Sequence, residues 1–159
     1  MDKDRVNIRE YGSCDISIVE VWLNKDYITK WFGEPKQWLD EIQNVSGEFG
    51  WINHFILEYD GTPFGFCQYY ECSKTPKGFE WDNEPPGTFG IDFLIGEEDF
   101  LNKGLGSIII RKLIDLIVKK ENPVQILADP DKENAISIKL LEVNGFALDE
   151  ATGLYKAAL

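Results

Sequence analysis

The chain is poor in the residues that build most metal and redox centres. Its 159 residues include one histidine, His54, and three cysteines, Cys14, Cys67 and Cys72. Zinc held by cysteine and histidine needs several such ligands close together, so no metal site is expected. An odd number of cysteines without paired spacing also argues against a disulfide framework and reads as reduced thiols. No apolar run approaches the ~20 residues that span a bilayer. The opening MDKDRVNIRE lacks the apolar segment of a signal peptide, which points to a cytoplasmic protein without a membrane partner. Positive charge is scarce too: 16 Lys and Arg stand against 28 Asp and Glu, a net −12. Such a chain repels nucleic acid and anionic membrane and favours cationic partners, while on charge alone solvated acidic faces are the simpler reading. Repeats, linkers and low-complexity stretches are missing as well, so residues 1–159 are expected to form one domain.

What is present is a packed-globule composition, 43% hydrophobic and 13% aromatic, with alternating and helical patterns in turn. RVNIREY reads as a strand, and SCDISIVEVWLN as a short helix with Ser13 or Asp15 as cap. DYITKWFGEPKQWLDEIQN reads as two helices broken at Gly33, with Pro35 in a first turn. WINHFILEY and FGFCQYYEC flank the Asp60-Gly61 turn of a hairpin. A long loop follows, SKTPKGFEWDNEPPG, then the strand TFGIDFLIG. Ser107–Lys120 is predicted to be a helix between a sheet and other elements. VQILA is a buried strand, DKENAISIKLLEVNG a helix closed by Asn144-Gly145, and FALDE and GLYKAAL a final strand pair. The fold class is α/β, a mixed sheet with one parallel strand-helix-strand unit.

The most informative stretch is DFLNKGLGSIII. It is a Gly-x-Gly turn at the mouth of a helix, and helix N-termini with bare N–H groups attract phosphates. A Walker loop fails, because no lysine separates Gly106 from Ser107. A dinucleotide fingerprint fails as well, because its third glycine falls on Ile109.

In context, Lys103-Gly104-Leu105-Gly106-Ser107 after IDFLIG and before VQILADP and ENAISIKLLEVNGF resembles the acetyl-CoA-binding core of the Gcn5-related N-acetyltransferases. Residues 50–150 carry most of the likeness. The family's [R/Q]-x-x-G-x-[G/A] signature falls on Leu101–Gly106, with Leu101 in place of Arg or Gln. KWFGEP, GIDFLIG and LADPDKENAISI resemble the aminoglycoside 6'-N-acetyltransferase branch more closely, and siderophore acyltransferases share part of the pattern.

The resemblance implies a central parallel strand pair splayed around acetyl-CoA and flanked by helices. The pyrophosphate would lie on the backbone of Asn102, Lys103, Gly104, Leu105, Gly106 and Ser107. Pantetheine would run along the backbone of Phe93, Leu94 and Ile95, whose side chains are ordinary core, and would meet Asn134, which could equally be a helix N-cap. Asp92, a carboxylate in an apolar strand, would be the base or anchor for the acceptor ammonium. Asp129 would be a second carboxylate facing the acceptor, or a turn residue before Pro130. Trp31 and Phe32 would pack a sugar-like or aliphatic acceptor, or be core, as an aromatic pair near a Gly more often is. Glu71, Glu80, Asp82 and Glu84 could line an acidic mouth or simply be solvated.

Many members carry a tyrosine acid where this chain has Leu141. Tyr69, Tyr70 or Tyr155 could replace it, or the thiolate could leave unaided. His54 reads as structural. The implied activity is acetyl transfer from acetyl-CoA, with no metal, to a primary amine of a small cationic acceptor, aminoglycoside-like or polyamine-like. The alternatives are acylation of a siderophore precursor or peptide amine, and a CoA-binding sensor with little turnover. Monomer and homodimer both fit.

Overall fold

A computed structural model describes residues 1–159. The strands are β1 (Val6–Glu10), β2 (Ile52–Tyr59), β3 (Thr62–Glu71), β4 (Thr88–Ile95), β5 (Gln125–Ala128), β6 (Ala147–Asp149) and β7 (Leu154–Ala158). The helices are α1 (Ile16–Leu23), α2 (Asp26–Phe32), α3 (Pro35–Gln43), α4 (Leu105–Lys120) and α5 (Ala135–Val143). The strands form one mixed sheet in the order β1-β2-β3-β4-β5-β7-β6. Only β4 and β5 run parallel; all other neighbours are antiparallel. No helix is long and apolar enough to cross a membrane.

The hairpin forms where Asp60-Gly61 places it. Both residues take positive φ, 49° and 79°, as a two-residue turn matched to strand twist requires. Helices cover both faces of the sheet. Ile109, Leu113 and Ile117 of α4 and Leu141 of α5 pack with Phe89 and Ile91 of β4. On the other face Trp22, Leu23, Ile28 and Ile42 of α1–α3 pack with Ile56, Phe66 and Leu94. Full burial of a Leu or Ile in such a cluster stabilises by about 2 kcal/mol. A third cluster, Tyr70, Cys72, Trp81, Leu127 and Leu154, lies beside the second, beneath the loop of residues 75–87. The three cysteines are free thiols, with Cys67 and Cys72 buried in different clusters.

The structure departs from the sequence reading at three places. Neither Ser13 nor Asp15 caps α1 with its side chain. Asp15 instead accepts from the Gly12 N–H and pairs with Arg9 at 2.8 Å, a stronger partner than a cap N–H. Helix α4 begins at Leu105 rather than Ser107, so Gly106 lies in its first turn. Its far face is also barer than the pattern implied, with Val118 exposed to solvent.

Candidate active site

The turn into α4 is shaped by two left-handed residues, Asn102 with φ 58° and Gly104 with φ 75°. Asn tolerates that conformation and Gly adopts it freely. The chain therefore curls so that no backbone N–H from Asn102 through Ser107 finds an acceptor in the protein. These donors, at the positive end of a 16-residue helix, form an anion cradle. Gly106 serves a different need. A Cβ there would come within 2.6 Å of Leu140 Cδ2, so its bare Cα lets α5 pack against α4.

Beside the cradle the parallel strands separate. β4 pairs with β5 only over Thr88–Gly90, opposite Gln125–Leu127. Residues 91–95 continue without a partner on that side, and β5 ends at Ala128. The result is a slot with a free strand edge, open to an extended amide-bearing chain. Turn, slot and helices enclose a cavity of about 760 Å³, ample for a large ligand. Tyr27, Trp31 and Phe32 of α2, Trp38 of α3, Asp92–Ile95, Asn102–Gly106, Ala128–Asp131 and much of α5 line it.

Asp92 is the cavity-lining end of a polar row that crosses the sheet. His54 on β2 pairs with Gln68 on β3, and Gln68 pairs with Asp92 on β4. The row runs between the apolar cluster under α1–α3 and the one under the 75–87 loop. Gln68 Nε2 donates to Asp92 Oδ2 at 3.0 Å. Burial raises the Asp92 carboxyl to about 6, with the Gln68 hydrogen bond opposing and the Asp129 charge adding. Glu41 of α3 is raised to about 7, by burial first and the Asp92 charge second. Burial also raises Asp129, with the Glu80 charge adding. Three carboxyls thus share a poorly solvated region, and each is held back from ionising by burial and by an acidic neighbour. A cation entering between them would relieve both penalties. No three His, Cys, Asp or Glu side chains converge closely enough to hold a metal ion.

Thirteen of the fourteen site residues named from the sequence line this one cavity: Trp31, Phe32, Asp92, Phe93, Leu94, Ile95, Asn102, Lys103, Gly104, Leu105, Gly106, Asp129 and Asn134. Ser107 does not; its Oγ accepts from Asn144 Nδ2 at 2.8 Å and ties α4 to α5. Asn134 uses Oδ1 to cap α5 through the Ser137 N–H, which leaves its amide N–H for the cavity. Of the tyrosines considered as acids, none lines the cavity. Tyr69 donates to Glu121 on the α4 side, Tyr70 lies over Gly90, and Tyr155 packs in the α4–α5 core. Leu141 does line it.

Two residues escaped sequence reasoning. Tyr27 lines the cavity and donates to the carbonyls of Ile95 and Gly96, at 3.0 and 2.9 Å, pinning the end of β4. Glu41 is the other. Its signal was a carboxylate beside Ile42 and three residues after Trp38, on the apolar stripe of α3.

An acetyltransferase (GNAT) domain model matches residues 13–153. The chain is 29% identical over 150 residues to an aminoglycoside N(6')-acetyltransferase type 1 of Klebsiella pneumoniae, spanning 90% of this chain and 74% of that protein. Its fold matches that of the aminoglycoside acetyltransferase AAC(6')-Ib in complex with coenzyme A, at TM-score 0.83 and 25% identity over 96% of this chain and 94% of the other. The same enzyme with ribostamycin and coenzyme A matches at TM-score 0.83 and 26% identity, over 98% and 94%.

Proposed function

The chain belongs to the GNAT acetyltransferase family, and on that premise we propose that it acetylates a primary amine of a small cationic acceptor, aminoglycoside-like in its spread of positive charge, with acetyl-CoA as donor. The single observation that carries the acceptor class is the placing of Asp92 and Asp129 together on the cavity wall, with Glu41 behind them near enough to feel the Asp92 charge, and burial raising all three carboxyls. An anionic or neutral acceptor would leave those groups unpaired. The similarity to aminoglycoside acetyltransferases over 90% or more of the chain supports the same acceptor chemistry.

In this reading the unpaired N–H groups of residues 102–107 receive the pyrophosphate of coenzyme A, with Lys103 adding charge. The free edge of Phe93–Ile95 receives the pantetheine amides, assisted by the Asn134 N–H. Trp31 and Phe32 pack the acceptor's apolar face. Asp92 takes one proton from the acceptor ammonium. At neutral pH a carboxyl near 6 is ionised yet basic enough to accept it. The freed amine attacks the thioester carbonyl, a C–N bond forms, the nitrogen gives up its second proton to solvent, and the C–S bond breaks. The thiolate leaves without a tyrosine, since Leu141 occupies that position. With a thiol pKa near ~8.5 it is a tolerable leaving group, and solvent protonates it. The access of Asp92 to a large open cavity weighs against a closed CoA sensor.

The test is release of CoA thiol from acetyl-CoA by the purified protein, against a kanamycin-type aminoglycoside, spermidine, lysine, hydroxylysine and a short peptide. Turnover with the aminoglycoside, abolished in Asp92→Asn, is the expected result. Turnover of the peptide alone would overturn the acceptor class, and full turnover in Asp92→Asn would remove Asp92 as base.

A further inference from the structure

The polar row carries more than Asp92. Its two inner members hold a pair of buried atoms with no hydrogen-bond partner, His54 Nε2 and Gln68 Oε1. They belong to residues directly opposite one another on β2 and β3. The other end of the Gln68 amide is already committed, donating to Asp92. One atom of the orphaned pair can carry a proton and the other can only accept one, so a proton on Nε2 satisfies both. The imidazole is confined for such a contact. It stacks on Phe66 at 5.6 Å and meets Tyr11 edge-on at 6.4 Å.

We propose that His54 is a positioning residue for the base: neutral and protonated on Nε2, it donates to Gln68 Oε1 and so fixes the amide with its N–H turned to the Asp92 carboxylate. The proposal rests on Asp92 being the base. Without His54 the amide is free to rotate, and the flipped orientation would aim a carbonyl oxygen at a carboxylate, which repels. Burial keeps the imidazole neutral, with its pKa lowered to about 4, so the proton's position and not a charge does the positioning. The titratable groups facing the row are Tyr70 from β3, Glu41 from α3 and Asp129 beyond β5 at the Asp92 end, and Tyr11 beyond β1 at the His54 end. Of these, the Asp129 charge opposes ionisation of Asp92, Glu41 and Asp92 oppose each other's ionisation, and the two tyrosines are neutral, their pKa values raised above 10. Gln68 is therefore the group in the row that favours ionised Asp92.

Because His54 is the only histidine in the chain, ¹⁵N-histidine labelling gives one imidazole to read. The expected spectrum between pH 6 and 8 is that of the neutral Nε2–H tautomer, and Gln68→Leu should disturb it. An Nδ1–H tautomer in the wild type would overturn the proposal. The second arm is the ¹³C carboxyl titration of Asp92, which needs no turnover. His54→Phe keeps the stacking on Phe66 and removes the donor. It should raise the Asp92 midpoint by about one pH unit, the scale of one lost hydrogen bond to a carboxylate. Gln68→Leu should do the same, the double variant should go no further, and His54→Gln should restore the midpoint. An unmoved midpoint, or two shifts that add, would show that His54 is merely packed. Where an acceptor is turned over, the acid limb of kcat/KM moves with the midpoint. Turnover retained in Asp92→Asn would sink the base reading while leaving the tautomer result to stand by itself.

Discussion

Replacing Asp92 by Asn should stabilise the protein while silencing it, and the gain should depend on pH. The carboxyl is raised from 3.8 to about 6 in the fold, chiefly by burial. A group whose folded pKa exceeds its unfolded one contributes stability that is fully present below the unfolded pKa and lost as pH rises through the folded one. At pH 8 the ionised, desolvated Asp92 costs on the order of 3 kcal/mol relative to a neutral side chain, at 1.36 kcal/mol for each unit of pKa. At pH 4.5 most folded molecules hold the proton, and the same linkage leaves about 1 kcal/mol. For a chain of this length these figures correspond to a gain in Tm of about 6–12 °C at pH 8 and about 2–4 °C at pH 4.5. Asn preserves an acceptor for Gln68, so the hydrogen-bond inventory is little changed, and relief of Glu41 acts in the same direction. Thermal unfolding of wild type and Asp92→Asn, followed by circular dichroism at both pH values, measures the difference. Equal gains at the two pH values, or no gain at pH 8, would refute a desolvated carboxylate. Turnover should fall by about 10²–10⁴-fold, the range for removal of a general base.

Glu41→Gln should raise KM for a polycationic acceptor several-fold while sparing the affinity for CoA, since α3 carries it on the Asp92 side and away from the 102–107 turn. Steady-state kinetics with each substrate varied would separate the two, and an unchanged acceptor KM would remove Glu41 from the site. Gly104→Val forces a β-branched residue to φ 75°, at a cost of at least about 1–2 kcal/mol, although no atom lies within 4 Å of its Cβ. The turn should yield before the fold does, so calorimetry should find CoA binding lost while the circular dichroism spectrum stays native. Gly106→Val meets Leu140 at 2.6 Å instead. It should loosen α4 against α5 and lower Tm as well as CoA affinity, whereas a variant that kept wild-type Tm would show that Leu140 simply swings aside.

The order of strands and helices could be read from periodicity because each element carries its own signal. Asp60-Gly61 sets the hairpin, Pro35 opens α3, and Gly145 closes α5 with the Phe146 N–H to Leu141 and the Gly145 N–H to Glu142. The Gly104 turn was legible for the same reason, since a backbone that needs positive φ advertises it in the sequence. The start of α4 was misjudged because Gly106 looks like a turn residue, whereas its glycine is required by Leu140, a contact 34 positions away in the chain.

The rest of the site depends on register, and register is not written within any one strand. Asp92 stands out by itself as a carboxylate in an apolar strand, but His54, beside Asn53 on β2, and Gln68, within the apolar run of β3, are singly best read as incidental. Pairing β2 with β3 and β3 with β4 puts the three abreast, and the combination then has a meaning its parts lack. Three polar side chains on adjacent strands would be costly to bury at random, because each exposes its neighbours to an unpaired group. Abreast, they can satisfy one another and end on a carboxylate at the cavity. Glu41 adds to this from a helix with no sequence relation to β4, and only its place on the stripe of Trp38 and Ile42 hints that it points inward. A polar residue that interrupts an apolar strand therefore gains its meaning from the register that sets it beside the interruptions of its neighbours.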